Sequence, residues 1–505
     1  MQQPSIDTIV IGSGIGGLTV AGLLAKSGRR VLVLERHDRA GGYAHGFKRK
    51  KYHFDAGVHL TSGCTDQGYK GGQLIAKTLQ ALDVYEQVEF IEISPFAHVS
   101  LPELMISLPL SIEQFIKQVS DEFPGQEIGL RSFLELSLNL TEQVAKADEV
   151  IATMGIEKAS IELALLFKYR RFTLADAWED YSFDPQLKSV LAALWPYLGL
   201  PPEKVSFVYW VSMFIGYLVD GAYYCKGGFQ TLADALVMGL KKSAGEIRFK
   251  SQVTKIQVLD NQVQGVYLAS GEFISAQTVI SNVDMRQTVH DLVGDDYFPK
   301  RYLSRLSRMQ ASQSIFVVYI ATSLDIKQAG VKHEAFYYNE CDHLKNYNNS
   351  MSGDLSWLSI TAPTLIDETL APNGEHLLML TTLANFSQVD DWKKEKPGFV
   401  EKMIDFADSK IAGLKANLLF VEAGSPATME RYTLNHQGAA YGWDVTPEQT
   451  GALRIANKSP IQGLYYAGHW TAPGGGVYGV TYSGVQTAQS ILGLTKRDDL
   501  WAACS

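Results

Sequence analysis

The chain has 505 residues, 46% hydrophobic and 11% aromatic, enough for a sizeable core and for about three domain-sized units, which excludes a disordered or fibrous protein. Its 45 Lys+Arg against 54 Asp+Glu leave a net charge of −9 with no long basic block, which argues against nucleic acid as a partner. Cys64, Cys225, Cys341 and Cys504 are scattered without metal-ligand spacing, so no metal site is expected and the thiols read as reduced, in a cytoplasmic type of compartment.

The opening residues lack the cationic, apolar, small-residue progression of a signal peptide, because Asp7 and the strand-like Thr8-Ile9-Val10-Ile11 arrive almost at once. The run continues through Gly12-Ser13-Gly14-Ile15-Gly16-Gly17, an apolar helical stretch to Lys26, a second β-branched run from Val31 and an acid at Glu35. A strand, a glycine turn, a helix, a strand and an acid in this order predict a βαβ dinucleotide-binding unit. Gly12 permits the tight turn, Gly14 lets backbone approach a pyrophosphate and Gly17 allows close helix-to-strand contact. The helix start offers free N–H groups and a positive dipole end, and Glu35 would accept hydrogen bonds from ribose hydroxyls.

Further along, Lys48-Arg49-Lys50-Lys51 reads as a solvated hairpin tip, or as a contact with anionic head groups if it stands beside a lipid entrance. Leu104–Leu108, Ile315–Ile320, Trp357–Ile360 and Leu377–Thr381 read as strands of an antiparallel sheet that could wall a substrate cavity. Thr173 is placed to cap a helix with Asp176 reaching back, and Asp184-Pro185 marks a second helix start. Phe207 to Val219 is too short and too interrupted, by Ser212 and Gly216, for the roughly 18 apolar residues of a spanning helix. It reads as a buried core helix or as the wall of a tunnel for a long apolar substrate, one face of which could dip into a bilayer. Val253–Leu259 and Val263–Leu268 alternate around an Asp260-Asn261 turn as antiparallel strands, and Val279-Ile280 returns to the central sheet. Phe399, Val400, Met403, Ile404 and Ala407 share one face of a helix expected to begin after Pro397.

Five residues, Arg36 to Ala40, separate Glu35 from Gly41-Gly42-Tyr43, and then comes Asp55-Ala56-Gly57-Val58-His59; Gly227-Gly228-Phe229 and the loop Pro473-Gly474-Gly475-Gly476-Val477 stand far downstream. Together these segments resemble the FAD-binding amine-oxidase superfamily, and within it the branch of phytoene desaturases, carotenoid cis-trans isomerases, retinol saturases and polyenoic fatty-acid isomerases. The resemblance implies an α/β fold in which a Rossmann-type FAD-binding domain, formed by 1–80, 220–283 and 438–497, is interleaved with an α+β substrate domain, an antiparallel sheet plus helical cap formed by 81–219 and 284–437; 498–505 is left as a tail. It implies FAD as cofactor, held by Gly12, Gly14, Ile15, Gly16, Gly17, Glu35, Arg36, Gly41, Gly42, Tyr43, Val58, His59, Val253, Gly468, Gly476, Val477 and Val480. By the same resemblance Val253 backbone touches the adenine, and Tyr441 and Trp443 lie beside the flavin ring or pack under the C-terminal loop.

The implied activity is isomerisation, saturation or desaturation of carbon–carbon double bonds in a long polyene, carotenoid or retinoid. His59 and Tyr441 are the candidate proton donors, a histidine being able to supply protons near neutral pH; a hydrogen-bonded histidine in a buried turn is the plainer reading of His59. A polyunsaturated fatty-acid isomerase is an alternative and would want a cation, Arg170, Arg171 or Arg431, for the substrate carboxylate. A flavin amine oxidase and, outside enzymology, a prenyl-lipid carrier share the frame. No second dinucleotide fingerprint identifies an electron partner. Peripheral membrane association is an expectation that follows from a lipid substrate.

Overall fold

The computed structural model describes residues 6–66 and 73–504. Thr8–Ile11 and Val31–Leu34 are short strands with every residue buried, the pattern of parallel strands covered on both faces. They form the middle of a five-stranded parallel sheet in the order Leu464–Tyr466, Thr278–Ser281, Thr8–Ile11, Val31–Leu34, Glu246–Arg248. Between the first two strands in sequence runs the helix Ile15–Lys26, buried from Ile15 to Ala25. A helix apolar all round must be covered on every side, and here Gln230–Lys242 and Val477–Leu492 flank it.

A three-stranded antiparallel sheet, Val253–Leu259, Gln262–Leu268 and Phe273–Ser275, stands beside the parallel one. Its first hairpin turns at Asp260 and Asn261, both with positive φ (48° and 58°), the backbone that a tight hairpin asks of its two central residues and that Asp and Asn tolerate.

The second large sheet has seven strands, in the order Leu418–Gly424, Ser314–Thr322, His376–Ala384, Trp357–Thr361, Glu334–Tyr338, Ala97–Leu101, Leu104–Leu108. All four strands expected from sequence are present. The sheet differs from a purely antiparallel one at a single place, where Ala97–Leu101 runs parallel to Glu334–Tyr338 with Ala335 opposite His98. Such a pair joins segments remote in sequence, so no hairpin signal announces it.

Helices cover one end of this sheet. Glu127–Glu162 spans 36 residues with a kink at Gly155 (φ 74°, ψ 161°). Against it lies Phe207–Asp220, whose Phe207, Trp210 and Phe214 are fully buried and stack with Phe133 or with one another. Thr173 and Asp176 form the expected capping box, and Asp184 caps the helix Pro185–Ala192. The helix expected after Pro397 begins earlier, at Trp392, with Pro397 inside it. Asp391 accepts hydrogen bonds from the Lys393 and Lys394 N–H groups, and that cap, with Trp392 buried beneath it, outweighs the one hydrogen bond the proline removes. Where the sequence suggests only a tail from 498 onward, the helix Arg497–Ala503 forms, with Leu500 and Cys504 buried and Cys504 Sγ donating to the Leu23 carbonyl at 3.5 Å.

Candidate active site

The carboxyl ends of the parallel strands open into a cavity of about 770 Å³, where an open α/β sheet places its ligand. Its first wall is the turn after Thr8–Ile11. Gly12 has φ 90°, and a Cβ at Gly17 would stand 2.4 Å from the Gly12 carbonyl oxygen, so the turn and the helix fit together only without side chains. Gly14 is the N-cap of the first helix and no side chain caps it. Val477–Leu492 likewise starts at Gly476 without a side-chain cap. Two helix starts with unfilled N–H groups thus face one cavity, the arrangement a diphosphate and an electron-rich ring edge call for. The residues present therefore fit a flavin dinucleotide.

Glu35, 7% exposed, sits at the end of the second strand. Its Oε2 accepts from the Ser13 N–H (2.8 Å) and hydroxyl (2.6 Å), and its Oε1 from the His37 N–H (2.8 Å). The carboxylate thereby pins the glycine turn while still lining the cavity. At this end Arg36 Nη1 donates to the Arg431 carbonyl, and His37 stacks on Tyr432 at 5.9 Å. Ser251, Gln252 and Val253 close the same end.

Of the residues expected to hold FAD, Gly12, Gly14, Ile15, Gly16, Glu35, Arg36, Gly41, Gly42, Tyr43, Val58, Val253, Gly468, Gly476, Val477 and Val480 line the cavity. Gly17 stands behind it, against the Gly12 carbonyl. His59 is not part of this wall. It lies one residue past Val58, 9% exposed, with Nδ1 donating to the Gly57 carbonyl (3.0 Å) and Nε2 3.2 Å from Glu334 Oε2 and 3.4 Å from the Tyr197 hydroxyl. Tyr441 does line the cavity, and its hydroxyl donates to the Pro196 carbonyl at 2.8 Å. Burial pushes that phenol well above its ordinary pKa. Trp443 takes the packing role, fully buried with its ring edge-on to Trp470 at 4.8 Å.

Two of the distant motifs meet. Asp55 accepts from the Phe229 N–H (2.8 Å) and from the Tyr224 hydroxyl (2.8 Å), and a Cβ on Gly228 would come within 2.8 Å of Asp55 Oδ1. Burial raises the Asp55 pKa to about 6 against these hydrogen bonds.

Several site residues carried no signal in the sequence. Asn282, at the carboxyl end of Thr278–Ser281, lies so close to Gly14 and Gly468 that a Cβ on either would meet its amide group, at 2.9 and 2.5 Å. Arg454, 1% exposed, donates to the carbonyls of Thr471 (2.9 Å), His469 (2.7 Å), Trp443 (3.2 Å), Asp444 (3.3 Å) and Gln449 (3.3 Å), which fixes the loop after Leu464–Tyr466. Burial lowers its pKa to about 10, and burial with the Arg454 charge lowers that of His469, which lines the cavity, to about 3. His469 is therefore a neutral imidazole at working pH. The position of Asn282 at a strand end was the one cue available.

The Lys48–Lys51 run is a hairpin tip, but it is not a free cationic patch. Arg49 makes a bidentate pair with Glu422 (2.8 and 3.2 Å), and Lys51 pairs with Glu375 (2.5 Å). Of Arg170, Arg171 and Arg431, Arg431 alone lines the cavity, at the Arg36 end and away from Tyr441. Among the described residues no group of three or more His, Cys, Asp or Glu side chains could hold a metal, and no helix is long and apolar enough to cross a membrane.

A parallel sheet with a glycine-turn βαβ unit, an acid at the second strand and a second uncapped helix closing the cavity defines a dinucleotide-binding fold. The family described as flavin containing amine oxidoreductase matches residues 15–492, and the chain belongs to it. It is an FAD-dependent enzyme of that family. Prolycopene isomerase 1, chloroplastic, of an Oncidium hybrid cultivar is 30% identical over 525 residues, 98% of this chain and 86% of the relative. All-trans-retinol 13,14-reductase of Danio rerio is 24% identical over 515 residues, 92% of this chain and 82% of the relative. In fold, an oxidoreductase from Methanosarcina mazei superposes with TM-score 0.64 at 18% identity, covering 97% of this chain and 100% of that one. Putrescine oxidase bound to putrescine does so with TM-score 0.62 at 14% identity, covering 97% and 99%.

Proposed function

We propose that this enzyme acts on the carbon–carbon double bonds of a long apolar polyene, carotenoid-like or retinoid-like, by cis-trans isomerisation or by saturation. The observation that carries the reading is the kinship over at least nine-tenths of the chain to an isomerase of prolycopene and a reductase of retinol, 30% and 24% identical. Apolar side chains of the cavity wall, Val58, Ile315, Tyr319 and Met429, suit an apolar chain. The fatty-acid alternative would need a cation for the carboxylate: Arg431 stands at the nucleotide end and Arg49 is engaged by Glu422, while Lys48 and Lys396 also line the cavity.

Bound FAD would supply two-electron chemistry at carbon and, in a water-poor pocket, transient charge donation to a conjugated chain. The chain's own residues divide the remaining work. Gly12, Gly14, Glu35, Gly42 and Val253 hold the dinucleotide, and the helix start at Gly476 and Val477 favours negative charge on the ring edge. His59 and Tyr441 are the candidate proton donors if a proton is added, Tyr441 from the cavity wall and His59 from one residue behind Val58. The segments 1–80, 220–283 and 438–497 would act as the cofactor domain, and 81–219 with 284–437 as the substrate domain. A lipid substrate also calls for contact with a membrane surface, and Met154, Ile156 and Ile161, exposed by 50, 66 and 81% around the kink at Gly155, would make it.

The test is an anaerobic single turnover with an all-cis carotenoid, retinol and linoleate supplied separately while the flavin spectrum is recorded and products are separated. Product from the pre-reduced enzyme with unchanged flavin identifies an isomerase, and product with reoxidised flavin a saturase. Turnover of linoleate alone, or of none of the three, would overturn the polyene reading.

A further inference from the structure

The strand Glu334–Tyr338 carries one acid into the interior at its first position. Glu334 is 1% exposed; its Oε2 accepts the Thr361 hydroxyl proton (2.8 Å) and stands 3.2 Å from His59 Nε2, the Tyr197 hydroxyl also acts on the carboxylate, and among the described residues Oε1 has no close hydrogen-bond partner. A carboxylate so placed needs a proton or a cation nearby, since an uncompensated buried charge is strongly disfavoured.

The other ring nitrogen of His59 settles what the pair holds. The Gly57 carbonyl can only accept, so Nδ1 carries a hydrogen. A neutral His59 would then present a bare Nε2 to the Glu334 oxygen, two lone pairs facing across 3.2 Å. One proton between them removes that conflict. Glu334 and Thr361 thus act on His59 from the sheet, and Tyr197 from the helical side.

We propose that Glu334 is a positioning residue that keeps a proton on His59 Nε2, so that the pair stores one proton behind the wall formed by Gly57, Val58 and Tyr441. This rests on the reading of His59 as a proton source given above. The neighbouring groups agree with it. Burial alone would lower the His59 pKa, but the Glu334 charge and hydrogen bond, with Gly57 and Asp55, raise it on balance. His333, next along the chain from Glu334, is pulled by burial to about 4 and stays neutral, and burial holds Tyr197, Tyr217 and Tyr441 as un-ionised phenols. Asp55 titrates at about 6, below the range in which His59 would release its proton. At neutral pH Asp55 is mostly ionised as well, which favours the charged imidazole, and His59 is the one cation among these groups.

The test is a pH titration of the histidine ring nitrogens by nitrogen NMR on the FAD-loaded protein, with the His59 signals assigned from a His59→Gln variant. Both His59 nitrogens protonated at neutral pH, with a pKa above that of a solvent-exposed histidine, is the expected result. A bare Nε2 at neutral pH in the wild-type protein overturns the proposal without recourse to any variant. Glu334→Gln should lower the His59 pKa by about one to three pH units, and Glu334→Asp should restore part of it; an unmoved titration in a Glu334→Gln protein that still shows flavin absorbance and a cooperative melt also overturns it. Failure of a substrate test with the titration as expected would sink the polyene reading and leave the pair standing.

Discussion

At Gly17 a single methyl group decides whether the phosphate-binding turn forms, because a Cβ there meets backbone, the Gly12 carbonyl oxygen, which has no way to move aside. Gly17→Ala is therefore expected to destabilise the protein by about 1–3 kcal/mol and to purify with little flavin, checked by visible absorbance and thermal melts. Arg454→Met leaves five carbonyls without their donor and is expected to cost roughly 3 kcal/mol or more and to lower flavin occupancy together with Tm. Asp444 gives a pH dependence. Burial raises its pKa from 3.8 to about 7 against Arg454 and Lys204, and its Oδ1 has no partner among the described residues. The folded state then keeps a proton that the unfolded chain releases near 3.8, so this group's contribution is complete below that pH and is lost as pH rises through about 7. Asp444→Asn should raise Tm more at pH about 8 than at pH about 4; an equal change at both would contradict the assignment. Residues such as Gly12, Gly14 and Glu35 were legible because their partners lie within one βαβ unit, where spacing fixes geometry. Asn282, Glu334 and Arg454 were not, since each acts on residues brought close only by the tertiary fold.

Local chemistry set the elements wherever it was self-sufficient. The Thr173–Asp176 box and the Asp184-Pro185 start are complete within four residues, and both appear where the sequence placed them. Thr173→Ala should cost about 1 kcal/mol as a drop in Tm, with flavin content unchanged, because the short helix Leu174–Ala177 does not line the cavity. The helix at Trp392 shows the limit of such reading. Proline is a strong local signal for a helix start, yet Asp391 caps a turn and a half earlier, and the gain from burying Trp392 is visible only in the folded protein. The strand Glu334–Tyr338 is hidden for a related reason, since its partner Ala97–Leu101 lies parallel to it across more than two hundred residues; Ala97–Leu101 itself forms a tight hairpin with Leu104–Leu108, of which only the second strand was legible.

For the whole molecule, the two large sheets share one cavity end, and its chemistry depends on both. The parallel sheet supplies the glycine turn and the second helix start, while the seven-stranded sheet supplies Ile315, Tyr319 and Ala423 to the same wall. The exposed apolar residues around Gly155 belong to neither sheet. Replacement of Met154, Ile156 and Ile161 by serine should reduce co-sedimentation with phospholipid vesicles at least several-fold while leaving flavin absorbance intact; unchanged sedimentation would remove these residues from the membrane reading. The strand order of the parallel sheet bears on how the protein is made. Thr8 pairs with Val31 early, but its other neighbour is Thr278, and the edge beyond waits for Leu464–Tyr466. A chain emerging from the ribosome thus carries a nucleotide turn without its opposite wall until Leu464–Tyr466 has been made, so the sheet that frames the cofactor cavity is completed by a strand more than four hundred residues after the turn it serves.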